Sequence, residues 1–295
     1  GGSSASAQIG HGGVNTATAS GTSVTSSAID ISIAGNGSLV SGNGNNAYSQ
    51  IGHGGTNARV VNQLGDICVH VGGTWTLDAA ANDSAGTNAY VQIGHGGQNA
   101  DGNHAGDVTV VSGFTNAGGV TMLGGDTNGR FVQIGHGAGV TGRNMDLAGD
   151  IFVVANNGGD LVMTGGAGDG SYVMAGHGDG FGAYGNFGSG ISGGTREGGL
   201  QYFVDGDAVL NSGTGANSNV HLIHRTNTGG GLSDSTYLGG DSYRYIVNGS
   251  TIGNDAASGS RENQGVIVNG IAGTGDIFIT DNTGADVEVG IPANS

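Results

Sequence analysis

The chain contains no lysine. Its seven basic residues are all arginines (Arg59, Arg130, Arg143, Arg196, Arg225, Arg244 and Arg261), and the formal net charge over 295 residues is −16. A surface of that sign repels a phosphate backbone, so no nucleic-acid partner is expected. Cysteine occurs once, at Cys68, which excludes an intrachain disulfide and leaves no cysteine-based metal site to expect. Proline occurs once, at Pro292, against 67 glycines. Without a Gly-X-Y period or imino acids the glycines are not collagenous. They suit tight turns between strands whose N–H groups stay in ladders. Glutamate is confined to Glu197, Glu262 and Glu288, and neither a nucleophile elbow nor a zinc-binding histidine pair is present, so catalysis has little to work with. No apolar run approaches membrane-spanning length, and no membrane insertion is expected. The sequence opens on Gly1-Gly2-Ser3-Ser4 with neither an initiator Met nor a signal peptide, which reads as a processed or excised piece.

What is present is a repeated phrase. AQIGHGGVN, SQIGHGGTN, VQIGHGGQN, VQIGHGAGV and the degraded VMAGHGDGF place His11, His53, His95, His136 and His177 at spacings of 42, 42, 41 and 41 residues. A fixed period of this size signals a stacked repeat architecture. Disordered low-complexity sequence has no reason to keep Val and Ile in register with such a period. Each repeat shows three strand-like segments. In the third they are Tyr90 to His95, Gly106 to Val111 and Val120 to Gly125, with a long loop between the first two; Gly65 to Val71 and Trp75 to Leu77 match in the second, Gly149 to Val154 and Leu161 to Met163 in the fourth. Short alternating runs bounded by Gly, Asn, Asp and Ser are strands.

The expected fold is all-β: a right-handed parallel β-helix (β-solenoid) with three strands per coil of about 42 residues. Ile67, Val69, Val108, Val110, Ile151 and Val153 form its inner columns. A β-propeller is the alternative, disfavoured because its blades need four strands. Residues 1–180 read as regular repeats and 181–295 as irregular coils with longer inserts and a terminal strand. There, Asp205 to Leu210, Val220 to His224, Tyr243 to Val247 and Val266 to Val268 look like rungs, and Gly275 to Ile279 looks like a last copy of the Gly-Asp strand.

Repeated positions become columns in a stack. The five histidines share the parity of the inward Val91 and Ile93, and a straight column of imidazoles does not converge tetrahedrally on zinc, so a neutral structural ladder bonded to backbone is expected. Gln8, Gln50, Gln92 and Gln133 form a second column, and Asn15, Asn57 and Asn99 a third, both read as amide ladders whose side chains bond to one another. A glycan-binding strip is the functional alternative for them, with Tyr48 and Tyr90 as its aromatics. Asp66, Asp107 and Asp150, with Asp276 and, in the first copy, Asp30, stack like charges. At about 5 Å in water each pair repels by only about 0.8 kcal/mol, which turn N–H groups can offset. Calcium is a further candidate partner at Asp66, Asp107 and Asp150, although Gly165 to Asp169 departs from the calcium-binding nonapeptide by carrying Gly170 in place of its aspartate. No other cofactor is expected.

The tandem YxQIGHGG phrase alternating with GDIxVxV resembles repeat regions of large secreted bacterial surface proteins of the filamentous-haemagglutinin-like and autotransporter-like kind, over residues 1 to about 180. The resemblance implies a β-helical stalk or adhesin on the cell surface. The period here is longer than the short haemagglutinin repeat, these residues contain neither a secretion domain nor an outer-membrane barrel, and no family site residues carry over. The expected function is an extracellular structural or adhesive module, with cell surfaces or glycans as contacts, and not an enzyme. The alternative is a polysaccharide-processing enzyme using Arg196, Arg225 and Arg244. Self-association into a fibre is expected from open strand edges at Ile9 and at Val287 and Val289, and from Phe152 and Phe278, which have outward parity on the Gly-Asp strand. Excision from one giant chain is the competing explanation for such ends.

Overall fold

A computed structural model describes residues 5–15, 24–81, 86–137, 146–178, 196–215, 218, 220–222, 243–247, 251–255, 266–269, 271–272, 277–281 and 289–290. The described chain is all-β, and every strand pairing is parallel. The strands fall into four stacked sheets of eight, five, seven and seven, each taking one strand per coil in sequence order. The four sheets are called here the first to fourth faces. The third coil visits them with Tyr90–Ile93, Asp101–Ala105, Val108–Ser112 and Val120–Leu123.

The coil therefore carries four strands rather than three. The segment expected to be a long loop contains Asp101–Ala105, which pairs with Arg59–Leu64 below it through a register irregularity between Asp101 and Asn103. Its inward residues are polar, Gln63 and His104 being fully buried, so no apolar alternation marks it. Four strands per repeat do not restore a propeller, because each strand bonds to its counterpart in the neighbouring repeat and not to its own coil.

The core runs along the axis. Ile67, Val69, Val108, Val110, Ile151 and Val153 are at most 1% exposed, and Val108–Ser112 lies between Ile67–Val71 and Ile151–Ala155 without slipping. Burying each such side chain contributes about 1.5–3 kcal/mol, so a one-residue slip, which would turn the whole set outward, is strongly disfavoured. Volume is shared between coils: the Trp75 ring covers Gly37, its partner one coil away, where an added Cβ would lie 2.0 Å from the ring.

Two readings of the weaker copies are corrected. Asp30 pairs with Cys68, not with Asp66, so it stands outside the Gly-Asp column. Ile277–Asp281 pairs with Thr251–Asp255 on the fourth face, not on the third with the Gly-Asp strands. A Gly-Asp pair opens strands at both corners, before Ile151 and equally before Leu161, so the dipeptide alone does not identify the face. The third face takes Leu200–Val204 and Tyr243–Val247 instead.

Candidate functional site

Among the described residues the QIGHG corner at the end of the first face is the most regular part. The backbone N–H of His11 donates to Nδ1 of His53, His53 to His95, His95 to His136, and His136 to His177, at 2.9–3.0 Å. With Nδ1 accepting, the ring proton sits on Nε2, which donates to the carbonyls of Ser27, Gly65, Gly106 and Gly149 from His53, His95, His136 and His177 at 2.7–2.9 Å. From His53 to His177 the rings stack at 4.7–4.8 Å between centroids. Both nitrogens of these four rings are engaged with backbone, which leaves no lone pair for a metal. Protonation would set an N–H against an N–H. Burial, reinforced by the neighbouring ring of His136, lowers the His95 pKa to about 2, and burial lowers that of His53 as well.

The glutamines grip this corner instead of one another. Gln50 Nε2 donates to the carbonyls of Gly94 and Gly96 one coil on, Gln92 to Gly135 and Gly137, and Gln133 to Gly176 and Gly178. Amide-to-amide bonding, expected for both columns, is seen between Asn57 and Asn15 at 3.1 Å. Those asparagines hold left-handed backbone, as does Asn99. The glycines around each histidine are required sterically. Gly94 has φ near +152°, and a Cβ there would lie 1.9 Å from the Gly135 carbonyl oxygen.

Tyr48 and Tyr90 do not border a binding strip. They are buried with Phe131 and Tyr172 in one stack, ring to ring at 4.8–5.0 Å. Tyr48 donates to Gln8 Oε1 and Tyr172 to Gln133 Oε1. The Oε1 atoms of Gln50 and Gln92 are both buried without a partner: the Tyr90 hydroxyl meets Thr56 instead of Gln50, and Phe131 has no hydroxyl to offer Gln92 in the preceding coil. One interior residue escaped the sequence reading altogether. Arg130, fully buried, donates to the carbonyls of Ala79, Gly86 and Gly42 and to Ser41 Oγ. Its only sequence signal is that it replaces the Ala47 and Ala89 that precede the tyrosines of earlier repeats.

The exposed aspartates form a backbone ladder. Asp66 Oδ1 accepts from the Asp107 N–H, Asp107 Oδ1 from the Asp150 N–H and Asp150 Oδ1 from the Gly199 N–H, at 2.7–3.0 Å. The carboxylates lie along a line, and among the described residues no three of them gather within reach of one ion. Asp276 and Val287 lie outside the described residues, and for Phe278 and Val289 only the backbone is described.

The outward side of the third face carries the surface chemistry. A shallow apolar groove lies over Val111, Phe152, Val154 and Phe203, rimmed by Asn156 and Gln201. Phe152 is 36% exposed there. Toward the first coil the same side presents Asp30, Cys68 and His70, whose ligand-type atoms all lie within 4.8 Å of one another. Burial, then the charges of Asp30 and Asp66, push the Cys68 thiol pKa up. On the first face Ile9 is 52% exposed, whereas Ile51, Ile93 and Ile134, its counterparts in the next three coils, are buried. Arg196 and Arg244 fall on different sheets, the second and third faces, and Arg225 lies outside the described residues. No protein-family model matches this chain, and no curated protein or solved structure is significantly similar to it.

Proposed function

We propose that this chain is an extracellular structural or adhesive β-solenoid, a subunit or segment of a surface fibre or stalk. The observation that carries the proposal is the constant register of the corner from His11 to His177, where each histidine side chain after His11 binds the backbone of the coil before it and Gln8, Gln50, Gln92 and Gln133 bind the backbone of the coil after them. A stack locked this way lengthens by about 4.8 Å per coil and holds each surface column straight, which suits reach and display. We take its hand to be right-handed, as parallel strand crossovers almost always are. The resemblance of the repeat phrase to bacterial surface stalks supports export to the cell surface.

Self-association is part of the proposal. A second copy laid along the third face would cover the groove at Phe152. Electron microscopy of this polypeptide at high concentration tests this. Fibres are expected, and Phe152→Glu is expected to loosen their lateral contacts. A monomer that stays dispersed at high concentration contradicts self-assembly. Glycan turnover that is lost when Arg196, Arg225 and Arg244 are replaced by Ala would favour the enzyme instead.

A further inference from the structure

We propose that Asp30, Cys68 and His70 form a site for one zinc-class divalent metal ion on the outer side of the third face, with a coordination position left open. The scaffold is two paired strands. Asp30 on Ile29–Ile33 is the direct cross-strand partner of Cys68 on Ile67–Val71, and His70, two residues on from Cys68, points to the same side. Cys68 Sγ is 3.6 Å from His70 Nε2 and 3.9 Å from Nδ1. Ligand atoms around a tetrahedral zinc ion stand ~3.5 Å apart given its usual bond lengths. Small rotations about the side-chain bonds of three residues already within 4.8 Å reach that geometry.

The donor set selects the metal. A thiolate, an imidazole and a carboxylate suit Zn²⁺ or Co²⁺, whereas Ca²⁺ and Mg²⁺ require oxygen ligands throughout. Three protein ligands with a free fourth position are the arrangement of zinc sites that bind an exogenous group.

The repeat supplies an internal control. Moving along the stack from Cys68, the same column holds Thr109, Phe152 and Gln201, and from His70 it holds Val111, Val154 and Phe203. None of these has the ligand character of the pair it replaces, so the chain's only cysteine and a histidine outside the ladder meet Asp30 where the repeat rule requires none of them. Phe114 packs edge-on against the His70 ring, with centroids 6.3 Å apart and planes at 72°. That contact restrains the imidazole without occupying either nitrogen. His70 thus differs from the ladder histidines, whose nitrogens are consumed by backbone. The cluster lies on the outer surface, so its substitution spares the core.

Cobalt(II) is the probe. Titration of the reduced protein is expected to show one equivalent bound, with thiolate-to-cobalt charge-transfer absorption and the visible bands of a tetrahedral site, all displaced by Zn²⁺. Cys68→Ser should abolish the charge-transfer absorption. His70→Ala and Asp30→Asn should each weaken binding at least about tenfold, with circular dichroism showing the fold retained. Zn²⁺ should also slow alkylation of Cys68 in the parent protein. Absence of the charge-transfer absorption, a thiol whose alkylation rate ignores Zn²⁺, or equal affinity in the parent and all three variants would each overturn the site, the last by assigning the metal to acidic residues elsewhere.

Discussion

Arg130 Nη2 donates to Ser41 Oγ at 2.9 Å, across 89 positions of sequence. On the way its guanidinium crosses the coil between, bonding the carbonyls of Ala79 and Gly86, and it ends beside that of Gly42. Gly125 leaves room beside it, since an added Cβ there would lie 2.8 Å from Arg130 Nε.

Arg130→Met keeps much of the side chain's length but removes four donated bonds. The carbonyls of Ala79 and Gly86 retain Ser41 Oγ and Thr127 Oγ1 as donors, so the Gly42 carbonyl is the acceptor most exposed to the loss. An unsatisfied buried group costs about 1–3 kcal/mol, and a loss of that size is expected by denaturant unfolding. Unchanged stability would show that another donor replaces the guanidinium.

The histidine ladder makes stability depend on pH. In the folded state His95 titrates near 2 because burial penalises its charge, whereas an unfolded histidine titrates near about 6.5. Above that value both states are neutral and the ladder's contribution is complete. Below it the unfolded chain takes up the proton and the folded chain does not. Stability is therefore lost as pH falls, by about 1.4 kcal/mol per pH unit for this residue, down toward its folded value. Unfolding measured from pH 7.5 to 5 should show this slope before most carboxylates titrate; a flat profile over that range contradicts a neutral ladder.

Gly94→Ala places a methyl group against the Gly135 carbonyl in the next coil, at a backbone angle that side chains rarely adopt. The next coil cannot retreat without losing the Gln92 and His95 bonds to it. A loss exceeding about 3 kcal/mol is expected, read as a collapse of thermal stability or of soluble yield. Gly158→Ala is the control, since no atom lies within 4 Å of its added Cβ, though its own φ near +73° carries a smaller strain.

Phe131→Tyr combined with Ala138→Gly should stabilise the fold. The new hydroxyl is expected to follow Tyr48 and Tyr172, which bond Gln8 and Gln133, and to take the unpartnered Gln92 Oε1, although Tyr90 in the same column meets Thr56 and leaves Gln50 Oε1 unpartnered. Ala138, outside the described residues, occupies in sequence the place of Gly55 and Gly97, where a Cβ would meet a tyrosine hydroxyl at 2.4 and 2.6 Å. A gain of about 1 kcal/mol in unfolding free energy is expected; a loss would mean that Gln92 is oriented differently.

The parallel stack and the identity of its columns were legible in the sequence because a solenoid turns a linear period into a spatial contact. Residues 41 or 42 positions apart, such as His53, His95 and His136, are stacked neighbours, and the alternation at Ile67, Val69 and Cys68 already separates inside from outside. Where a strand lacks that alternation the signal vanishes. Asp101–Ala105 turns the polar His104 inward and carries an irregularity in register, so the second face could be found only through its pairing. Partners were equally hidden wherever a side chain reaches beyond its own column. The glutamines bond glycine carbonyls in preference to each other because those carbonyls converge at the corner, and Arg130 finds oxygens in two earlier coils because its long side chain passes Gly125, which has no Cβ to block it. The approach of Asp30 to Cys68 and His70 depends on how the first coil, whose connection from His11 to Ile29 is longer than those from His53 to Ile67, His95 to Val108 and His136 to Ile151, is set in register on the second. Composition could say that Cys68 has no second cysteine; only packing one strand against the next could supply it with a carboxylate and an imidazole.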